Sequence, residues 1–371
     1  MSKLKHKWSL GHNYLTGITF GMWCKVLAAN GFRISPAYLH RAAAVTAASI
    51  GNSAFAGIER LRFGKQIDSA GDVAPPLFIL GHWRSGTTLL HDLMAQDTAQ
   101  FNYPNTYQVV NPLTFLTTEN ALSRLMAGLL PATRPMDNMA MSFASPQEDE
   151  FAPLLMTGAS LYLGTSFPDR MGHYEKHLSF ADADPDVRTA WKDAFVTFVK
   201  KLSLNCSRPL VMKSPPHTAR IKLLLEMFPD ARFVHIHRDP YRVFQSQRHF
   251  FDTAGWYTYM QRPDLDAIDE GILRRYTAMY DAYFADRDLI PRGHFDEVRY
   301  DDLTADPVGQ VGGIYDALGL QNFDSFRPQL QAYVDTLEGY QKNRFDTLSP
   351  DDRALVARRW HRSFETWGYP K

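Results

Sequence analysis

The segment PPLFILGHWRSGTTLLHDL, residues 75–93, decides the fold class of this chain. An apolar run at 77–81 predicts a buried strand, and the leucines after the glycines are spaced as on a helix. Gly81, four intervening residues, Gly86 and two threonines match the Walker A spacing, except that Thr87 stands where that motif has lysine. The segment therefore predicts a phosphate loop for a phosphate other than the γ-phosphate of ATP.

Three more segments read as apolar strands: RPLVMKSPP (208–216), RFVHIHRDP (232–240) and HFDEVRYDDLTADP (294–307). A helical pattern follows each of them, and strands that alternate with helices imply parallel pairing with right-handed crossovers. The sequence therefore predicts an α/β protein with a central parallel β-sheet flanked by helices. It also predicts a P-loop-like nucleotide site and extra N-terminal helices.

The chain is long enough for one large domain with an extension. Residues 1–70 read as helical, with Pro36 and Gly51 as breaks, and are expected to form a helical N-terminal extension. Residues 71–371 are expected to form the α/β domain. The mainly helical stretch at about 97–207 is the natural place for a substrate pocket or lid within it.

The amino-acid composition limits which kinds of ligand and partner the chain is expected to bind. Lys+Arg and Asp+Glu number 40 each, so no global basic field points to nucleic acid. The two cysteines, Cys24 and Cys206, cannot form a disulfide framework and fit a reducing compartment. No histidine–cysteine arrangement has zinc-ligand spacing, and His235 and His237, on one strand face, are expected to serve the core, so no metal site is predicted.

The N-terminus carries two apolar segments. Lysines precede a run that resembles a weak signal peptide, but Lys25 interrupts it and no clean cleavage site follows. Residues 42–58 hold no charge, yet they are too short and too weakly apolar to span a bilayer. They predict either a buried helix that packs through small side chains or attachment to a membrane surface. A cytoplasmic protein is expected, with the inner face of the membrane as the alternative location.

Three strand ends carry residues suited to anions. They are 82–88, 213–217 and 238–246. Because ligands bind at the carboxyl ends of parallel strands, these segments are expected at one mouth. At the first end, the backbone N–H groups of Ser85–Thr88 and the guanidinium of Arg84 would hold a phosphate. At the third end, Arg238 and Ser246, eight residues apart, are suited to a second phosphate.

These segments carry a resemblance to a known family. RSGTT after an apolar strand, FVHIHRDPYRVFQSQ with its arginine and serine, and VRYDDLTADP (298–307) occur in that order. Together they resemble the sulfotransferases that use 3′-phosphoadenosine-5′-phosphosulfate (PAPS), over residues 75–320 and in a bacterial-type branch with an RSGTT loop. PAPS has no triphosphate chelated to a metal, which would explain the missing Walker lysine. The resemblance therefore implies PAPS as co-substrate and no metal.

The resemblance also implies a donor site. Arg84 would neutralise charge that builds on the 5′-phosphate as the S–O bond breaks, without donating a proton. Arg238 and Ser246 would bind the 3′-phosphate, and Tyr300 would contact adenine. The tryptophan that stacks on adenine in cytosolic members would fall at Leu89. The full donor set is Arg84, Ser85, Gly86, Thr87, Thr88, Arg238, Ser246 and Tyr300, with Lys342 and Arg344 of GYQKNR as further candidates.

A base must take the proton of the acceptor hydroxyl. Lys213 ends the second strand and is expected to stabilise the leaving phosphate, while His217, four residues later, is one candidate base. A histidine that caps the next helix is the alternative reading of His217. The rival bases are Glu148 and Glu150 of SPQEDEF, although acids in a first helical turn also complement the helix dipole.

The sequence thus predicts transfer of a sulfuryl group from PAPS to an acceptor hydroxyl or amine. A small-molecule kinase and a non-catalytic nucleotide-binding or membrane-associated protein are the alternatives. The aromatic segment FFDTAGWYTYM (250–260) and the apolar N-terminal helices favour a lipid or another lipophilic small molecule as acceptor. The oligomeric state stays open.

Overall fold

The computed structural model describes residues 4–11, 13–126, 142–204, 206–337 and 345–371. In chain order the helices are α1 (Phe20–Ala29), α2 (Leu39–Asp68), α3 (Thr87–Met94), α4 (Thr106–Val110), α5 (Phe115–Met126), α6 (Phe151–Thr157), α7 (Tyr162–Ser166), α8 (Met171–Glu175), α9 (Pro185–Ser203), α10 (Ile221–Met227), α11 (Pro240–Asp252), α12 (Ile268–Asp286), α13 (Tyr300–Ala305), α14 (Pro307–Leu318), α15 (Phe323–Thr336), α16 (Pro350–Arg359) and α17 (His361–Trp367). The strands are β1 (Leu77–Leu80), β2 (Val211–Lys213), β3 (Arg232–His237) and β4 (Phe295–Arg299). Short 3-10 helices lie at Tyr14–Gly17, Pro36–Tyr38, Pro168–Arg170, Pro215–Ala219, Ala254–Tyr257 and Arg287–Leu289.

The chain divides into two compact units. The helical unit comprises Met1–Val73, Pro104–Ser207 and Phe250–Asp266, and the sheet unit comprises Ala74–Tyr103, Arg208–His249 and Ala267–Lys371. Each unit therefore draws on segments that are distant in sequence.

The sheet unit contains the predicted parallel sheet, in the strand order β2-β1-β3-β4. Leu77 of β1 is in register with Val211 of β2 and with Arg232 of β3, and Phe233 of β3 is in register with Phe295 of β4. Every pairing among these strands is parallel, and a helical segment follows each strand, so the fold-class prediction is confirmed. The sheet brings the carboxyl ends of all four strands to one edge.

Alternation along β1 gives the sheet two apolar faces. Leu77 and Ile79 pack in one buried cluster with Leu90 and Leu93 of α3, and α14 and α15 contribute to the same cluster. Phe78 points to the opposite face and stacks on Phe233 of β3, with the ring centroids 5.7 Å apart. A buried parallel strand needs apolar side chains on both faces, which explains the continuous run that the sequence shows here.

The helical unit is organised around α2. This helix runs without a break from Leu39 to Asp68, so the prediction that Gly51 interrupts it was wrong. Burying one face of a long helix outweighs the cost of about 1 kcal/mol for a single glycine. Pro36 does begin a separate 3-10 turn before α2. Within the described residues, no helix is long and apolar enough to cross a bilayer.

Candidate donor-binding site

The glycine loop joins β1 to α3 in the sheet unit. Gly81 and Gly86 have φ of 145° and 108°, values that side chains rarely adopt. The Ser85 side chain closes the turn, because its Oγ–H donates to the His82 carbonyl at 2.8 Å and its N–H donates to the same oxygen at 3.1 Å. Thr87 then begins α3, so the loop ends at a helix N-terminus, which favours a bound anion.

Space as well as φ requires glycine at both positions. A Cβ on Gly81 would lie 2.5 Å from the Ile236 carbonyl oxygen, and a Cβ on Gly86 would lie 2.3 Å from Cδ2 of Tyr300. The loop therefore packs directly on β3 and on the residue that follows β4. This close approach fixes the backbone that would face the phosphate.

Arg84 sits at the top of the loop in a left-handed conformation, with φ of 71°. A non-glycine residue in this region carries backbone strain of about 1–2 kcal/mol. Its Nε–H donates to Ser246 Oγ at 2.9 Å, and its carbonyl accepts from Arg238 Nη1 at 3.2 Å. The structure thus brings together Arg84, Arg238 and Ser246, which the sequence had placed at two separate strand ends.

The Arg238 guanidinium lies over the ring of Tyr300, 4.1 Å from its centroid. Burial lowers the pKa of Arg238, the Tyr300 hydroxyl opposes this effect, and the nearby Arg84 cation lowers the pKa further. Two guanidinium groups held this close repel each other, and a bound anion removes that repulsion. The chemistry of this cluster therefore fits a phosphate ligand.

Tyr300 is largely buried. Its ring belongs to the apolar cluster beneath α3 and lies between Gly86 and Arg238. Leu89, at the position of the adenine-stacking tryptophan of cytosolic family members, packs against the same cluster. Lys342 and Arg344 lie outside the described residues.

Lys213 ends β2 and is buried. Its Nζ lies 3.5 Å from Thr88 Oγ1, at the long limit of a hydrogen bond, so the second strand end also reaches α3. Thr218, which follows the candidate base His217, accepts a hydrogen bond of 2.7 Å from the Gly81 N–H. This contact was missed from the sequence, because nothing in the local pattern marks Thr218.

The two sets of candidate bases lie in different environments. His217 belongs to the 3-10 helix Pro215–Ala219, not to the cap of α10, and its buried ring packs edge-on against Phe78 at 5.4 Å. Glu150 is buried in the helical unit, where its carboxylate accepts a hydrogen bond of 2.6 Å from the Ser160 hydroxyl. Glu148 is only partly buried and accepts from the Tyr162 hydroxyl.

Asn105 has a structural role. Its side chain caps α4 and closes a capping box with Gln108. Its Nδ2 also donates to Glu119 at 2.6 Å.

The histidines of β3 have protein partners. His235 Nδ1 lies 2.8 Å from Glu297 Oε2, and His237 Nδ1 lies 2.9 Å from the Tyr369 hydroxyl. Burial lowers the pKa of His237 to about 3, so its ring is neutral at pH 7. In the part of the chain that the structure describes, no group of three His, Cys, Asp or Glu side chains is arranged to hold a metal ion.

A further buried histidine lies next to the loop itself. Burial lowers the pKa of His82 to about 3, and its Nδ1 donates to the Trp83 carbonyl at 2.9 Å. The backbone N–H of His82 donates to the Tyr280 hydroxyl at 3.4 Å. A neutral His82 adds no charge to the loop, so the cations of this site are the arginines and Lys213.

Comparisons with known proteins identify the family of this chain. A sequence model described as "Sulfotransferase family" matches residues 75–325. The omega-hydroxy-beta-dihydromenaquinone-9 sulfotransferases Stf3 of Mycobacterium bovis and Mycobacterium tuberculosis are each 34% identical to this chain over 355 residues. The match covers 96% of this chain and 91% of each relative.

Solved structures share the fold. Sulfotransferase STF9 from Mycobacterium avium has a TM-score of 0.69, with 17% identity, over 94% of this chain and 96% of its own. Sulfotransferase STF1 from Mycobacterium tuberculosis H37Rv has a TM-score of 0.64, with 17% identity, over 95% of this chain and 93% of its own. Because the family model covers more than half of the chain and these relatives align with nearly all of it, the chain belongs to the sulfotransferase family and is a sulfotransferase.

Proposed function

We propose that this sulfotransferase moves a sulfuryl group from PAPS to the hydroxyl of a lipophilic acceptor. The observation that carries the donor assignment is the cluster that Arg84 of the glycine loop forms with Arg238 and Ser246. Two cations and a hydroxyl at a helix N-terminus suit a ligand with two phosphate groups. PAPS carries a 3′-phosphate and a 5′-phosphosulfate and so meets this requirement.

In this proposal the donor supplies an activated sulfuryl group, and the protein supplies charge and position. The loop amides and Lys213 hold the 5′-phosphate and stabilise the charge that develops there. Arg238 and Ser246 hold the 3′-phosphate. Arg84 has contacts to both of these residues, so we assign it a place between the two phosphates.

The donor assignment is tested by calorimetry with 3′-phosphoadenosine 5′-phosphate (PAP), adenosine 5′-monophosphate and ATP. The wild-type protein is expected to bind PAP more tightly than either of the others. Arg238→Ala is expected to weaken PAP binding about tenfold to a hundredfold and to weaken binding of the monophosphate less. Arg327→Ala, an exposed arginine of α15, is the matched control and is expected to bind like wild type. Tighter binding of ATP with magnesium would instead support a kinase.

Arg84→Ala is expected to lower kcat by about a hundredfold to a thousandfold, as for loss of one preorganised donor to a developing charge. Arg84→Lys keeps the charge but loses the two-pronged geometry, and is expected to recover part of that loss. An Arg84→Ala enzyme with normal turnover would contradict the role of Arg84.

For the base we propose Glu148. A base must reach the proton of an incoming acceptor, and Glu148 is the one partly exposed member of the candidate set, since His217 and Glu150 are buried. The Tyr162 hydroxyl, which donates to its carboxylate, would orient it. Glu148→Gln is expected to lower kcat by about a hundredfold or more with little change in PAP binding. Retained turnover in Glu148→Gln together with loss in His217→Gln would move the base to His217.

We propose a hydroxylated lipid as the acceptor, of the type of the omega-hydroxy-beta-dihydromenaquinone-9 in the names of the Stf3 relatives. The support is the identity of 34%, which extends over nearly the whole chain and so includes the segments that would select an acceptor. The test is incubation of radiolabelled PAPS with lipid extracts, with hydroxylated menaquinones and with water-soluble phenols as separate acceptors. Label in the lipid fraction alone is expected. Label only on the phenols would contradict this acceptor class and leave the donor assignment intact.

A further inference from the structure

Exposed apolar side chains are concentrated at the N-terminus of the helical unit. Elsewhere in the described chain, the large apolar side chains of comparable exposure are Leu265 and Leu289. The N-terminal set consists of Trp8, Leu10, Phe20, Phe32, Leu39, Ile50, Phe55, Ile58 and Leu61. Scattered exposed apolar residues need no explanation, but a set confined to one stretch of the chain does.

Helix α2 carries much of this set on one face. Exposed apolar positions recur there every three or four residues from Leu39 to Leu61, and positions with this spacing form one stripe along a helix. We name as the α2 stripe the residues Leu39, Ala43, Ala47, Ile50, Ala54, Ile58 and Leu61, which are all exposed. The stripe contains no charge and extends over about 33 Å at 1.5 Å per residue.

The opposite face of α2 is buried and carries charge. Arg41 is 1% exposed and donates to the carbonyls of Trp256 and Tyr259. Glu59 is 2% exposed, pairs with buried Lys201 and accepts from the Thr117 N–H. An ordinary surface helix buries its apolar face, whereas the buried face of α2 holds two charged side chains and its other face exposes apolar ones.

Two aromatic residues border the α2 stripe. The ring of Trp8, 74% exposed, packs on His40, with the centroids 5.2 Å apart. The N–H of Phe20 donates to Ser53 Oγ at 2.8 Å, which places the start of α1 against α2. The exposed apolar surface therefore extends from α2 onto the neighbouring segments.

The N-terminal segment that carries these exposed apolar side chains is rich in cations. Residues 1–67 contain nine lysines and arginines and a single acid, the buried Glu59. Among the described residues of this stretch, the exposed cations that form no ion pair with an acid are Lys7, Lys25, Arg33, Arg62 and Lys65. The first exposed acid is Asp68, which is paired with Arg60. The exposed apolar side chains thus lie in a segment whose charged residues are mostly cations.

We propose that the α2 stripe, with Trp8 and Phe20, binds the surface of a bilayer that contains anionic phospholipid. Apolar side chains would enter the boundary of the acyl chains, and the surrounding lysines and arginines would contact lipid phosphates. A second copy of the chain is disfavoured, because two copies meeting through this segment would bring its excess of cations together. The inference does not depend on the donor or the acceptor proposed above.

The test is sedimentation of the full-length protein with vesicles, without PAPS. Binding is expected to vesicles of phosphatidylcholine with phosphatidylglycerol. The triple variant Ile50→Ser/Ile58→Ser/Leu61→Ser is expected to reduce the partition coefficient at least about tenfold, because three exposed apolar side chains are lost. The double variant Leu265→Ser/Leu289→Ser, with comparable exposure elsewhere, is expected to bind like wild type. Equal loss in both variants would overturn the proposal.

A second comparison tests the charge. Arg62→Glu/Lys65→Glu is expected to weaken binding to the phosphatidylglycerol vesicles more than about twentyfold, at roughly fivefold or more for each cation. Lys222→Glu/Arg358→Glu changes two exposed cations of the sheet unit and is the matched control. Sedimentation velocity completes the test. A wild-type dimer that the triple serine variant converts to a monomer, with no vesicle binding by either, would assign the stripe to a second copy and overturn the proposal.

Discussion

Replacement of Gly86 by alanine tests whether the loop geometry is what the site requires. Gly86 has φ of 108° and ψ of 7°, immediately before α3. The new Cβ would lie 2.3 Å from Cδ2 and 2.9 Å from Cε2 of Tyr300, and 3.1 Å from Cδ1 of Ile236. Either the loop or the Tyr300 ring must move, and the guanidinium of Arg238 lies on that ring.

Two costs add up in this variant. A left-handed backbone at a non-glycine residue costs about 1–2 kcal/mol. Forcing a carbon into a packed site costs about 1–3 kcal/mol. Together they give a loss of about 2–5 kcal/mol in the free energy of unfolding, a large part of the typical 5–15 kcal/mol of a folded domain. For a unit of this size the midpoint of thermal unfolding is expected to fall by roughly 5–15 °C.

The assays are urea unfolding, thermal unfolding and calorimetry with PAP. Gly313→Ala is the control, because Gly313 lies in the exposed interior of α14 with nothing within 4 Å of its would-be Cβ. That variant is expected to gain about 0.5–1 kcal/mol, since alanine loses less backbone entropy. If Gly86→Ala unfolds like wild type and binds PAP normally, the packing of the loop on Tyr300 is not what holds the site.

The remaining predictions concern buried polar groups. Glu59→Ala is expected to lower the free energy of unfolding by about 3–5 kcal/mol, since the ammonium of Lys201 would stay buried without its partner. Replacing both Glu59 and Lys201 by methionine should cost far less. Equal losses of stability in the two variants, measured by urea unfolding, would contradict this. Tyr315→Phe removes the 2.7 Å hydrogen bond to buried Asp97 and is expected to lower the free energy of unfolding by about 1–3 kcal/mol in the same assay. An unchanged urea midpoint would show that this bond does not stabilise the fold. His82, whose pKa burial lowers from 6.5 to about 3, takes up its proton mainly on unfolding, so stability is expected to fall as pH drops from about 6.5 toward about 3. His82→Asn should flatten that slope in urea titrations over this range, and an unaltered slope would contradict the assignment.

The architecture was predictable because each of its signals is local. The apolar run before Gly81 predicts β1, leucines at helical spacing predict α3, and the same reading yields the later strands. Parallel pairing then follows from the alternation of strands and helices, and it places the strand ends at one edge. Nothing in this reasoning requires knowledge of which side chains touch.

The contacts within the site were harder to predict from the sequence. Arg84 and Ser246 are 162 residues apart, and their 2.9 Å hydrogen bond depends on how far each side chain reaches from its own strand end. Thr218 binds the first loop glycine through a hydroxyl that no spacing rule marks. The continuity of α2 through Gly51 depends on packing, which outweighs local helix propensity.

Loss of the Walker lysine changes how the positive charge of the loop is controlled. Arg84 is held from outside the loop, by Ser246 and Arg238 of the segment that follows β3. The left-handed backbone of Arg84 costs about 1–2 kcal/mol, and hydrogen bonds involving charged groups of about 1.5–3 kcal/mol offset that cost. The loop charge is therefore correctly placed only when the β3 end is in position, so any substitution that displaces Arg238 is expected to disturb both phosphate positions at once.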